Sequence, residues 1–189
     1  MWPPSLYGTD TMEKLKVGGL RQSLELCQFD LRGPEPSDGI LANVSRILAS
    51  QKSNIAFLTY KTNKDRCCQV SFCLNQDLFP RASTILNKGL RLPTVWEIES
   101  REHVGMITVF PRHSAMTILG VVMASWGAES IPIYGIANSL SAVSFITDYR
   151  VIDKAVEVVQ DSLQLPRNRA PIKPELQYYQ SEVIKRNKT

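Results

Sequence analysis

Long apolar runs are missing from this 189-residue sequence, and so are clustered histidines. No stretch approaches the roughly 20 apolar residues that a membrane-spanning helix needs, so we expect no membrane partner. The first residues, MWPPSLYGTDT, lack the charged segment and apolar run of a secretory signal. Residues 1–13 are predicted to be a flexible leader, in which Met12 is an alternative start, and the expected location is the cytoplasm.

Metal-site spacing is also absent. The four cysteines, at positions 27, 67, 68 and 73, include no C-x-x-C pair, and the two histidines, at 103 and 113, lie away from them. This spacing predicts neither a zinc site nor any other metal site, and we expect no cofactor. Cys68 falls on the apolar side of an alternating run, which predicts a buried, reduced thiol.

No catalytic constellation is recognisable. The two histidines cannot be placed in a Ser-His-Asp or Cys-His set by any spacing signature. Gly18-Gly19 is only a pair within a short predicted strand and not a loop that cradles phosphate. The acidic residues Glu97, Glu99 and Glu102 are typical of a solvated strand end. We therefore predict a protein that is not an enzyme.

The excess of positive charge is confined to the end of the chain. The net charge is +4, and residues 166–189 carry six basic against two acidic side chains, so the remainder is neutral. A basic tail of this kind is more often a solvated terminus than a binding arm. Nucleic acid is therefore an unlikely partner on charge alone.

The hydrophobic periodicity predicts alternating strands and helices. Apolar residues recur with helical spacing in four segments, of which the third, residues 115–126, is predicted to bury Met123 and Trp126. Met116 is also assigned to the core. Period-two alternation predicts strands in the following segments: 15–20, 23–29, 55–60, 68–74, 92–98, 104–110, 131–136 and 140–147. A short turn is predicted at Asn138-Ser139.

These elements occur in the same order twice. Both halves are β-α-β-β-α with a further strand available, and an offset of 73 aligns Ser71-Phe72 with Ser144-Phe145. A repeat of this length is one small domain and not a solenoid unit. The order predicts an α+β fold of two ferredoxin-like βαββαβ domains, each an antiparallel sheet with helices on one face.

Two stretches carry a family resemblance, GILANVSRILASQKSNIAFL and ILGVVMASWGAESIPIYGIANSLSAVSFITDYRVIDKAVEVV. They resemble ACT domains, and the pair is similar to the tandem ACT domains of the C-terminal regulatory region of aspartate kinases, without the kinase domain. The resemblance covers about residues 15–165. It implies a first domain at 23–100, a second at 101–165, and a strand at 14–22 that completes the sheet of the second. Residues 166–189 are the basic tail.

The resemblance also implies an amino-acid site where the loop before a helix of one domain meets the strand after a helix of its neighbour. A helix N-terminus suits an α-carboxylate, because its N–H groups are unpaired and its dipole end is positive. The positions implied in the first domain are Ser37, Asp38, Gly39, Ile40, Asn54, Ile55 and Ala56. Those implied in the second are Arg112, His113, Ser114, Ala115, Ser130, Ile131, Asn138 and Ser139.

Each position has a purely structural alternative. Ser37, Asp38 and Ser114 are suited to be N-caps, and Asn54 to end a helix. Arg112 and His113 put positive charge beside a helix N-terminus, which an anionic ligand or solvent would relieve. The Pro-Gly pair typical of the family's effector loop is absent from residues 111–115.

Three hypotheses follow for function. The first is a regulatory protein that senses a free amino acid, forms a homodimer and controls an enzyme of amino-acid biosynthesis. The second is a protein-interaction module that has lost its ligand site. The third is nucleic-acid binding through the basic tail and Tyr178-Tyr179. RNA-binding domains of this order also need exposed aromatics on the central strands; Phe72 and Phe145 lie there, but their alternation favours burial.

Overall fold

The computed structural model describes residues 14–34, 39–65, 67–89, 96–112 and 114–166. The strands are β1 (Leu15–Pro34), β2 (Phe57–Thr62), β3 (Cys67–Asn75), β4 (Glu97–Pro111), β5 (Gly135–Asn138), β6 (Val143–Asp148) and β7 (Leu163–Gln164). The helices are α1 (Ile40–Ser50), α2 (Phe79–Gly89), α3 (Ala115–Ala128) and α4 (Ile152–Ser162). Short 3-10 turns, Gln76–Leu78 and Tyr149–Val151, precede α2 and α4.

One sheet contains all seven of these strands, in the order β2-β3-β1-β4-β6-β5, with β7 beside the start of β1. Neighbouring strands are antiparallel except for β1 and β7. Near its start β1 pairs with the end of β4, where Leu20 lies opposite Val109. Near its end it pairs with β3 and the start of β4, where Leu31 lies between Val70 and Ile98. Both halves of the protein therefore share β1 and β4.

Two irregular residues let β1 serve both halves. Its register against β4 shifts between Ser23 and Leu26 and again before Gln28. Glu25 on β1 and His103 on β4 lie at these shifts with φ angles of 55° and 54°. An extra residue in a strand re-aims the side chains that follow it. Leu24 consequently packs with the second pair of helices, and Cys27 packs with the first.

Each helix pair covers its own half of the sheet. Helices α1 and α2 bury one apolar cluster around Phe29 and Phe72, and α3 and α4 bury another around Phe145 and Trp126. A third cluster lies on the opposite face of the sheet and consists of strand residues alone: Leu26, Phe57, Cys73, Val104, Met106 and Ile146. It joins the two halves, because it draws residues from both.

The predicted α+β class, with antiparallel strands and four helices, is confirmed. The separately predicted strands 15–20 and 23–29 are one continuous strand, and so the boundaries proposed at 22/23 and 100/101 fall inside β1 and β4. Residues 14–22 do lie in the sheet beside β4 and β7. The division into domains stays a prediction.

Three local expectations were wrong. Residues 131–134 precede β5 and are not a strand, because Pro132 lacks an N–H and its carbonyl accepts a bond from Thr147 Oγ1 at 2.7 Å. The turn after β5 runs over residues 139–142 and is closed by Ser139 N–H donating to the Ala142 carbonyl. Met116 and Met123 are 64% and 43% exposed, whereas Trp126 is buried as predicted.

Burial explains two further features. Phe72 and Phe145 are fully buried, so neither can stack on a nucleic-acid base. Cys68 is buried as predicted, and all four cysteines are free. In the part of the chain described above, no helix is long and apolar enough to cross a membrane.

Candidate functional site

The candidates around α1 lie at its two ends. Gly39 is the N-cap residue, with φ 75° and ψ 120°, a conformation that side chains disfavour. The side chain of Ile40 is buried in the core. Asn54 is exposed beyond the other end of the helix, about 16 Å away for eleven residues at 1.5 Å each. Ser37 and Asp38 lie outside the described residues.

The segment after α1 is held by the sheet. Ala56 N–H donates to the Cys73 carbonyl at 2.9 Å. Ile55 packs against the first helix pair's cluster, and Ala56 packs against the cluster on the opposite face. These two residues therefore offer backbone groups and shape to a ligand but no charged side chain.

The start of α3 gathers several of the predicted residues. Ser114 Oγ accepts a hydrogen bond from Thr117 N–H at 3.2 Å, so this serine is an N-cap. Asn138 Nδ2 lies 3.4 Å from Met116 Sδ, which brings the β5–β6 hairpin beside Ala115 in the first turn. Ser139 follows in the hairpin, and its hydroxyl bonds to both the N–H and the carbonyl of Ala142. His113 lies outside the described residues.

The remaining pair, Ser130 and Ile131, lies at the other end of α3. Ser130 has φ 54°, and its N–H donates to the Gly127 carbonyl. Ile131 is buried, and its N–H donates to the Trp126 carbonyl. Fourteen helical residues put this pair about 21 Å from Ser114. Within one chain the two groups of candidates do not form a single site.

An open cleft of about 230 Å³ lies where the start of β1, the residue after β4 and the segment around β7 meet. Its lining includes Arg112, which is exposed, and Lys16 and Gln164, which pair across β1 and β7. Val17, Leu165 and Pro166 provide apolar walls. Two cationic side chains beside an apolar wall suit a small anion that also carries an apolar group, such as an amino acid.

Sequence reasoning found Arg112 but missed Lys16 and Gln164. These residues come from opposite ends of the described chain and meet only because β7 pairs with β1. The resemblance contained one usable signal, since it placed residues 14–22 beside the second half. Nothing in the spacing pointed to Gln164.

A second feature missed by the sequence is a polar seam between the halves. Gln28 is fully buried, and its Nε2 lies 3.3 Å from the Tyr134 carbonyl and 3.0 Å from Ser71 Oγ. Arg101 forms an ion pair with Asp30 at 2.6 Å and lies over the Tyr134 ring. The segment before β5 is therefore tied to strands of the first half.

Apolar contact reinforces this seam. A Cβ added at Gly135 would lie 3.2 Å from Phe57 Cζ, so the start of β5 packs closely against the start of β2. The segments that follow α1 and α3 therefore meet across the two halves.

The seam continues to a carboxylate with a lowered pKa. Hydrogen bonds from the Arg150 side chain lower the pKa of Asp148 to about 2. The Arg150 backbone N–H adds a 2.9 Å bond, and a bond from Tyr134 acts in the same direction. Asp148 therefore stays ionised at the end of β6. Among the described residues there is no cluster of three or more His, Cys, Asp or Glu side chains that suits a metal ion.

Comparison with known proteins gives matches at the level of structure. No protein-family profile and no curated protein matches the chain. The regulatory subunit of aspartate kinase from Thermus thermophilus matches with a TM-score of 0.68 at 20% identity, over 78% of this chain and 99% of that one. A structure of aspartokinase alpha and beta subunits matches with 0.66 at 16%, over 77% and 97%.

A complete enzyme matches through part of its length. Escherichia coli aspartokinase III in complex with lysine and aspartate matches with a TM-score of 0.53 at 15% identity, over 82% of this chain and 35% of that one. At identities this low, the structural matches establish that the fold is shared. The resemblance predicted from the sequence is confirmed at that level: this chain has the fold of the regulatory subunits and regulatory regions of aspartate kinase.

Proposed function

We propose that this chain is a non-catalytic regulatory protein of the cytoplasm that binds a free amino acid, forms a homodimer and controls an enzyme of amino-acid biosynthesis. The observation that carries the proposal is the cleft lined by Arg112 and Lys16. The fold supports it, because the similar Thermus protein is a regulatory subunit of aspartate kinase and the similar E. coli enzyme was crystallised with lysine and aspartate.

The chemistry of the cleft fits an α-carboxylate. Arg112 presents a planar guanidinium that can bind a carboxylate through two hydrogen bonds. Lys16 adds a second positive charge to the lining. The Val17 and Leu165 side chains line the same cleft and suit an apolar or long aliphatic side chain of the ligand. Binding shifts a regulated equilibrium only if the two states differ in affinity for the ligand.

A thermal-shift screen against the twenty amino acids, followed by calorimetry, tests the proposal. We expect one or two amino acids to raise the melting temperature. Arg112→Ala should weaken binding of such a hit by about tenfold or more, as expected for a lost charge-assisted hydrogen bond. Arg46→Ala is the matched control, because Arg46 is exposed on α1 and bonds to Asn43, three residues earlier on the same helix, at 3.1 Å.

The second candidate is an interaction module without a ligand. It is favoured because two of the predicted ligand-binding side chains already form hydrogen bonds within the protein: Ser114 caps α3 and Ser139 closes its own turn. A flat screen, with calorimetry also showing no heat, would reject the sensor and leave this candidate. Normal binding in Arg112→Ala would instead keep the sensor and reject the cleft as its site.

A further inference from the structure

Helix α3 has an unusual exposed side. Its fourteen residues include no charged side chain, although a surface helix normally has a polar outer face. Met116 and Met123 are 64% and 43% exposed. Gly120 and Gly127 continue the same stripe at helical spacing, and a Cβ at either would meet no atom within 4 Å. The described residues therefore leave an apolar stripe uncovered.

Helix α4, which packs against α3, carries an acidic stripe of its own. Asp153, Glu157 and Asp161 follow each other at four-residue spacing, and all three are exposed. The two helices run side by side, because Trp126 Nε1 donates to the Ala155 carbonyl at 3.2 Å and Glu129 pairs with Lys154 at 2.8 Å. We call the apolar stripe and the acidic stripe together the outer face. Its natural occupant is a basic segment with apolar side chains.

The chain itself contains such a segment. Residues 167–189 carry six basic and two acidic side chains. Their larger apolar side chains are Ile172, Leu176, Tyr178, Tyr179, Val183 and Ile184. This composition complements the outer face in both charge and polarity.

The point of departure of this segment favours an intramolecular contact. Pro166 lines the same cleft as Arg112, which lies two residues before the Ser114 cap of α3. The stripe on α3 is about 21 Å long, and 23 extended residues can span about 75 Å. The segment begins beside one end of the outer face and is long enough to cover it.

We propose that residues 167–189 dock on the outer face of α3 and α4 in the same chain, with basic side chains against Asp153, Glu157 and Asp161. The excess charge of the tail then has a specific place in the protein. The proposal is independent of the amino-acid site, because it uses the opposite side of α3 from the core and needs no ligand.

Zero-length carbodiimide cross-linking of the full chain tests the contact directly. We expect amide links from Lys173, Lys185 or Lys188 to the three acidic residues of α4. An equal mixture of ¹⁵N-labelled and unlabelled protein separates links within one chain from links between copies. Links only between copies, or tail lysines linked only to other carboxylates, would overturn the proposal.

Peroxide oxidation followed by mass spectrometry tests the covering of the methionines. In the full chain, neutralising the six basic tail residues to glutamine should speed oxidation of Met116 and Met123 by about fivefold or more. The triple variant Asp153→Asn, Glu157→Gln and Asp161→Asn should do the same. The matched control is Asp65→Asn, Asp77→Asn and Glu97→Gln, three exposed acidic residues elsewhere, which should leave both rates unchanged.

Two internal checks make the result decisive. Met106 is only 7% exposed and should oxidise slowly in every variant that is folded. The tail variant leaves residues 14–166 unaltered, so its oxidation rates test the proposal even if the α4 variant does not fold. Equal oxidation rates with and without the basic tail residues contradict the proposal. Protection that instead rises with protein concentration would assign the outer face to a second copy.

Discussion

The guanidinium carbon of Arg101 lies 5.2 Å from the centroid of the Tyr134 ring. Arg101 belongs to β4 beside the first half of the protein, and Tyr134 precedes β5 in the second. The same guanidinium pairs with Asp30 on β1 at 2.6 Å. One side chain thus joins the central strands to the segment that follows α3, through a cation–π contact and an ion pair.

Arg101→Ala should lower the free energy of unfolding by about 1–2 kcal/mol. The loss arises because the Asp30 side chain, which is only 17% exposed, loses the cation that it pairs with. Urea unfolding measures the change. Arg46→Ala, at an exposed site on α1, should stay within about 0.5 kcal/mol of the parent. Equal effects for the two variants would show that the seam adds no stability.

Gly105→Ala should destabilise the protein through a contact with Ile152. The added Cβ would overlap Ile152 Cδ1, so the buried isoleucine must move, at a cost of about 1–3 kcal/mol. Ile152→Val removes that terminal carbon and alone should cost about 0.5–1.5 kcal/mol. A double-mutant cycle by chemical unfolding should show that Gly105→Ala costs less in the valine background. Additive costs would exclude this clash as the cause.

The stability contributed by Asp148 should disappear in acid. The folded-state pKa of Asp148 is lowered to about 2, below the value of about 3.9 for an unperturbed aspartate. A group whose pKa is lowered on folding contributes its full stabilisation at pH values above its unfolded-state pKa. This stabilisation is lost as the pH falls through its folded-state pKa. Asp148→Asn should therefore be less stable than the parent at pH 5 and approach it towards pH 2. A difference that does not change with pH would contradict this assignment.

Thiol reactivity should single out one cysteine. Burial raises the pKa of Cys27 to about 12, and burial also raises the pKa of Cys73 well above its usual range. Cys68 is 1% exposed, whereas Cys67 is partly exposed at the start of β3. With Ellman's reagent near pH 8, one thiol of the native protein should react quickly, since the thiolate is the reactive species. Cys67→Ser should abolish this fast reaction. A fast-reacting thiol that remains in this variant would contradict the burial of the other three cysteines.

The local pattern of apolar residues was sufficient to predict most of the strands and helices. The alternation of Cys68, Val70, Phe72 and Leu74 identifies β3 because a half-buried strand repeats every two residues. The apolar spacing of Ile40, Val44 and Leu48 identifies α1 for the corresponding helical reason. The repeated order of these elements was sufficient for the α+β class and for the resemblance to paired regulatory domains.

Side-chain exposure on α3 was not predictable in the same way. The helix is apolar all round, so its periodicity does not say which side faces the core. Only the packing of Ile118, Val122 and Trp126 against the sheet decides that Met116 and Met123 face outwards.

The sequence by itself determined the elements, their doubled order and the location of the excess charge, because these depend on neighbours along the chain. The tertiary structure decided the rest. It joined the strands predicted at 15–20 and 23–29 into β1, brought Lys16 to Arg112 through the pairing of β1 with β7, and placed Tyr134 under Arg101. These contacts join residues far apart in sequence, and no local propensity encodes which distant strands will pair.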